Sequence, residues 1–157
     1  MSIGTVTPYN QAPKILLSDA GRQWDDAAAG SLFFCLADEN YTPSLSHTTT
    51  NDVGAALITA GDGVAIPVTG AAIDDTTEAG STFLQSDHAD FGVDVTITAK
   101  YLICVQPVTA NTFSATTSNL LWYVDLDDAT TSATVSSNPD FAILQPVNGW
   151  IKLAKLV

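Results

Sequence analysis

The chain has 157 residues, a formal net charge of −12 from 5 Lys and Arg against 17 Asp and Glu, and a charged fraction of only 14%. That length fits one domain, long enough to bury roughly 68–70% of its unfolded surface without a covalent staple. The charge balance argues against DNA or RNA as a partner, since phosphates are neutralised by clustered cations, and an anionic membrane surface repels such a chain for the same reason.

No apolar run approaches the ~20 residues that span a bilayer. Residues 1–8 lack the basic start and apolar core of a signal peptide. The expectation is a soluble protein made in a cytosol. With charges well below the usual ~25%, the polar surface must be built from Thr, Ser, Asn and Gly, and Thr, branched at Cβ, favours strands.

In chain order, residues 1–8 read as an extended arm, Pro8 holding Thr7 out of the helical region; residues 9–157 read as a single β domain. Tyr9 to Asp19 predicts one short helix. Asn10 is an acceptable N-cap, Pro13 falls in the first turn, Ala12, Ile15 and Leu16 give an apolar side, and Gly21 is placed to end it. Ser31–Ala37 is a short apolar run and reads as a buried strand. Asp38 to Pro43 is a turn by composition. Ser46–Ala60 is ambiguous between irregular chain and a short helix capped by Asn51 or Asp52 and carrying Val53, Ala56 and Leu57.

Gly61-Asp62-Gly63 marks a tight turn. Val64, Ile66 and Val68 then alternate as a strand that Pro67 confines to an edge. Asp74 to Gly80 is a polar loop, Ser81–Gln85 a short strand, and Ser86–Gly92 a loop. Asp94 to Pro107 reads as the central strand. Val95 and Ile97 alternate with Thr96 and Thr98, the period of a half-buried strand, and Tyr101–Val105 is continuously apolar, as a strand covered on both faces is. Asn111–Asn119 is a Thr/Ser-rich loop. Leu120–Leu126 is a further apolar strand, and Thr134-Val135 and Phe141–Ile143 begin two more. Asn148-Gly149 is a strong turn dipeptide, and Trp150–Val157 closes the chain as a strand. Seven or eight short strands separated by turns predict a mainly all-β fold, an antiparallel β-sandwich or barrel with one short N-terminal helix.

The acidic residues fall in three sets: Asp74, Asp75 and Glu78; Asp87, Asp90 and Asp94; and Asp125, Asp127 and Asp128. None has the spacing of a calcium loop, and solvated turns explain them; Asp74-Asp75 and Asp127-Asp128 are the best candidates should a cation site exist. His47 and His88 sit in polar loops, and the Ser44 and Ser46 beside His47 do not make a triad, which is defined by geometry. Paired carboxylates of a small hydrolase can lie far apart in sequence and stay open as a reading. Of Trp24, Trp122 and Trp150, a set that would suit sugar stacking, the last two lie in or beside apolar strands and read as core. Cys35 and Cys104, each inside an apolar run, read as buried free thiols.

The order of motifs resembles a family of small tailed-phage virion proteins of the capsid decoration or cement type. The matching pieces are Thr5 to Ala12; Ser31 to Ala37 running into Asn40-Tyr41-Thr42-Pro43; Asp87-His88-Ala89-Asp90 leading into Val93 to Tyr101; Leu120 to Leu126; and Asp140 to Ile143 with Gly149 to Leu153. They span nearly the whole chain in the family's order. Asp52–Leu57, where family members often carry a Gly- and Tyr-rich segment, and the Asn111–Asn119 loop depart from it.

The resemblance implies a structural subunit with no enzymatic activity, no catalytic residue, no metal and no cofactor. It would be a homotrimer on the outside of a phage head, binding the major capsid protein and stabilising contacts between its subunits, after assembly in the host cytoplasm. Ile3, Val6 and Tyr9 are the expected neighbour contacts, since ordering an arm costs roughly 1–2 kcal/mol per residue and burying Ile3 and Val6 on a partner returns about 1.5–3 kcal/mol each. A tail- or fibre-associated module that recognises a host-surface glycan is the alternative.

Overall fold

The computed structural model describes residues 4–18, 31–59, 61, 64–74, 81–93, 95–127, 134–136, 140–146 and 149–154. Among them are twelve strands and one helix: β1 Thr7–Pro8, α1 Ala12–Ser18, β2 Phe33–Ala37, β3 Ile66–Pro67, β4 Ala72–Asp74, β5 Ser81–Gln85, β6 Ala89–Val93, β7 Ile97–Ala99, β8 Tyr101–Gln106, β9 Asn119–Asp125, β10 Thr134–Ser136, β11 Asp140–Ile143 and β12 Ile151–Ala154. Every pairing is antiparallel. The all-β expectation holds, with more strands than the seven or eight read from the sequence.

A five-stranded sheet in the order β1-β9-β8-β2-β3 carries the molecule, with β8 in the middle. Successive side chains of a strand point to opposite faces, and here both faces are covered. Leu102 and Cys104 of β8 join Phe34, Leu36, Trp122 and Val124 on one side, packed against Leu84, Phe91, Ile97, Phe141 and Trp150 of the smaller sheets. Ile103 and Val105 join Phe33, Cys35 and Leu120 on the other, under Tyr41, Val53 and Leu57. That double coverage is why the run is continuously apolar. The register of β8 and β9 shifts between Cys104 and Val105. One extra β9 residue, Leu121, is thereby accommodated, and Leu120, Leu121 and Trp122 are buried in succession, as a bulge permits.

The stretch read as one central strand is in fact two. β7 pairs with β10 and β8 with β2 and β9. Lys100 stands at the division: its N–H donates to the Ala37 carbonyl and its own carbonyl accepts from Leu126 N–H, both at 2.8 Å. Its ammonium donates to Asp125 Oδ1 and to the Asp127 carbonyl, also at 2.8 Å. Before this corner the alternation is as expected, with Val95, Ile97 and Ala99 buried and Thr96 and Thr98 exposed. Asp94 lies outside the described residues.

Ser86–Gly92, read as a loop, contains most of β6, which pairs with β11. Ala89 and Phe91 are buried and Asp90 exposed. Asp, His and Gly in the run hide that alternation. Pro67 does lie on an edge strand of the central sheet, where its missing N–H costs no ladder bond. The ambiguous Ser46–Ala60 stretch forms two 3-10 turns, Thr50–Asp52 and Gly54–Ala56, with Val53, Ala56 and Leu57 buried beneath. Asp52 accepts from Thr48 and Thr49 N–H at 2.7 and 3.0 Å, reaching back over the start of the first turn.

Helix α1 begins at Ala12, later than the Tyr9 start read from the sequence. Asn10 lies in the preceding turn and donates its N–H to the Leu45 carbonyl at 3.0 Å. Ala12, Ile15 and Leu16 face the core as expected; Gly21 lies outside the described residues. Of the 1–8 arm, residues 4–8 are extended but run along their own sheet. Gly4 N–H donates to the Asp125 carbonyl at 2.8 Å, and Thr7 and Pro8 sit opposite Tyr123 and Trp122.

Candidate functional site

Three contact residues were expected. Ile3 lies outside the described residues. Tyr9 is 1% exposed, so its surface is spent on its own core. Its hydroxyl lies 2.7 Å from that of Tyr41, which lies 3.0 Å from His47 Nδ1. Val6 is partly buried against the core and lines the described groove of the surface.

The groove encloses about 380 Å³. Gly4, Thr5 and Val6 form one wall, Leu144 and Pro146 the other, and Gly149 with Trp150 the floor. The first wall is placed by the pairing of residues 4–8 with β9. The second leaves β11 and is pinned by Gln145, whose N–H donates to His88 Nδ1 at 3.1 Å and whose Oε1 accepts from Ser86 N–H. Gly149 has φ +86, a conformation that L side chains rarely adopt, and its N–H closes a turn on the Pro146 carbonyl at 2.8 Å. A Cβ there would sit 2.6 Å from the Leu84 carbonyl oxygen.

Trp150 is fixed on three sides. Its backbone N–H donates to Leu84 O at 2.7 Å, its indole N–H to Ser86 Oγ at 2.8 Å, and its ring stacks on Trp122 with centroids 5.1 Å apart. The floor is therefore rigid. Leu144, by contrast, is 59% exposed at the rim, the highest exposure among the large apolar side chains described. Exposed Ala142 is opposite exposed Asp90 in the β6–β11 register, and Leu144 follows the end of β11 at Ile143.

The remaining chemistry is quiet. Burial pushes the Tyr41 hydroxyl up to about 12, and it raises Tyr9 further still, with the hydrogen bond to Tyr41 adding to the effect. Cys35 and Cys104 are free and buried, as expected, and loss of hydration pushes both thiols above their ordinary value. Thiols so placed are poor nucleophiles, because the reactive form is the thiolate.

Asp125 and Asp127 are gathered around the Lys100 ammonium, and Asp127 N–H donates back to Asp125 Oδ1 at 2.9 Å. Asp74 Oδ2 accepts from Gln85 at 3.0 Å and Asp90 Oδ1 from Gly92 N–H at 2.9 Å. Among the described residues no three His, Cys, Asp or Glu side chains come together as a metal site; Asp75, Glu78, Asp94 and Asp128 lie outside them. Trp122 and Trp150 are core residues, 0% and 3% exposed; Trp24 lies outside the described residues.

Sequence reasoning missed Leu144 and Gln11. Leu144 sits just before Pro146, where a strand-ending proline hints at an exposed side chain. Gln11 donates to the Leu120 carbonyl at 3.0 Å and to Thr48 O, joining the start of the helix to β9 and the 48–52 turn; no local pattern announces that. Comparison with family models, with curated proteins and with solved structures finds no match to this chain.

Proposed function

We propose that this chain is a structural virion subunit, a capsid decoration or cement protein that docks on the outside of a phage head and bridges major capsid subunits as a trimer. The observation that carries the reading is a rigid apolar groove with an exposed leucine at its rim, set in a domain with a net charge of −12. Such a surface is made for docking. It repels packaged nucleic acid and offers apolar area to a protein face. The ordered series of motifs from Thr5 to Leu153 supports the same reading, and the protonated, buried phenols and thiols suit a protein that is not a catalyst.

Copy number in purified particles tests it. Quantitative mass spectrometry against the major capsid protein is expected to find hundreds of copies per particle, released without loss of the tail. A handful of copies that co-purify with tails would overturn head placement, and absence from particles would overturn the virion role.

A further inference from the structure

We propose that residues 86–88 are a clamp on the groove and that His88 makes the clamp acid-sensitive: the neutral imidazole holds the Leu144–Pro146 wall, and protonation releases it. This gives the groove of the docking reading a control, and it rests on that reading.

The clamp is built from hydrogen bonds that converge on one short segment. Ser86 Oγ accepts from the Trp150 indole N–H at 2.8 Å and donates to the Asp87 carbonyl at 2.8 Å. Ser86 N–H donates to Gln145 Oε1, and His88 Nδ1 accepts from Gln145 N–H at 3.1 Å. The same segment therefore fixes both the floor and the wall. Its own base is firm. Asp87 N–H donates to the Thr69 carbonyl at 2.8 Å, the Asp87 carboxylate lies against Gly70, and Ala89, the first residue of β6, is fully buried. The wall has less behind it: β11 ends at Ile143, and Leu144 and Pro146 are exposed.

A neutral imidazole carries one N–H and one acceptor nitrogen. Nδ1 is the acceptor here, so the ring proton sits on Nε2 and a second proton has only Nδ1 to occupy. Nδ1–H would then confront Gln145 N–H, two donors with no acceptor between them. Flipping the ring does not help, because it presents Nε2–H instead. Histidine is the side chain that ordinarily changes charge between pH 5 and 8. The wall is thus held at neutral pH and let go as pH falls through that range. His88 is exposed, so the imidazolium can turn to water and no charge is left buried.

The charges around the ring do not replace the lost bond. Exposed Asp87 and Asp90 flank His88 in the chain. Among the described residues, the 144–146 wall, β3 and β5 carry no titratable side chain. Asp74 of β4 accepts from Gln85, and Asp140 of β11 pairs with Val93 at the far end of β6. None of these carboxylates can accept from Gln145 N–H in place of Nδ1 without the wall moving. His47, beside the Tyr41 hydroxyl, supplies an internal control.

The test follows the full chain by NMR from about pH 8 to about pH 5.5 at fixed salt. The Leu144 and Gln145 amides and the Trp150 indole are expected to move on one curve with the His88 ring. Protection of the Gln145 amide is expected to fall about fivefold, the factor that goes with one ordinary hydrogen bond. His88→Asn puts an amide oxygen near the place of Nδ1 and does not titrate, so the same signals are expected to stay still. His88→Lys, a donor only, is expected to show the released positions throughout. Binding to undecorated heads is expected to weaken several-fold across the range and to lose that response in His88→Asn. Groove signals that stay still while His88 titrates, that follow the His47 ring, or that move equally in His88→Asn would overturn the proposal. So would head binding that responds to pH alike in the wild type and His88→Asn.

The two readings fail separately. A wall indifferent to His88 in a chain that decorates heads sinks this inference alone. A wall that titrates with His88 in a chain absent from particles sinks the decoration role and leaves the clamp standing.

Discussion

The Tyr9–Tyr41 pair is the buried side-chain hydrogen bond among those that tie the N-terminal segment to the loop covering the central sheet. Their hydroxyls are 2.7 Å apart and both residues are buried, at 1% and 3% exposure. A buried phenol must stay protonated, because the phenolate loses its hydration. Its pKa is therefore raised in the folded state, and the unfolded chain ionises first as pH rises. Protons bound are then fewer in the unfolded state, so stability falls with pH. The window opens near the ordinary tyrosine value of 10.0 and extends for Tyr41 to about 12. Urea midpoints are expected to hold steady at neutral pH and to fall through that window. Tyr9→Phe is expected to cost about 1–2 kcal/mol at neutral pH through the lost bond and to flatten the alkaline decline. A Tyr9→Phe variant as alkali-sensitive as the wild type would show that other groups set it.

At the scale of elements, the turn that carries Trp150 is the most demanding piece of backbone in the groove. Gly149 combines φ +86 with a Leu84 carbonyl 2.6 Å from where a Cβ would stand. Gly149→Ala is therefore expected to cost about 2 kcal/mol by strain and to shift tryptophan emission, because Trp150 must move with its neighbour. An unchanged urea midpoint would show that the turn relaxes freely.

How far such elements could be read from sequence depended on whether their cause is local. The Thr96 and Thr98 alternation, the double burial of Leu102–Val105 within the apolar run and the edge position of Pro67 all follow from side-chain period or from a missing donor, and all are present. The break at Lys100 follows from Ala37, Asp125, Leu126 and Asp127, which are distant in sequence, so no window around residue 100 contains it. β6 was hidden because its outward positions are Asp90 and Gly92, residue types that also build loops. The groove was invisible for the strongest reason: its walls come from residues 4–6 and 144–146, opposite ends of the chain, and of its lining residues Val6, Gly149 and Trp150 were singled out separately, as a contact, a turn and a core residue.

For the whole molecule, charge makes the proposed self-association and the proposed docking respond to salt in opposite directions. Each copy carries −12, so bringing copies together adds like charges, and salt that screens them favours the trimer. Docking of so acidic a chain on a shell face of opposite charge would have the reverse sign, since salt screens the attraction. Sedimentation velocity of the isolated chain is expected to show a larger oligomer fraction at high salt than at low salt. The docking step itself, followed with the oligomer fraction held fixed, is expected to weaken over the same series, chiefly through a slower association rate. Because the trimer is favoured by the condition that disfavours docking, decoration by preformed trimers should pass through an optimum at intermediate ionic strength. Head binding that rises with salt in parallel with the oligomer fraction would mean that charge has no part in choosing the partner and that apolar burial governs both contacts.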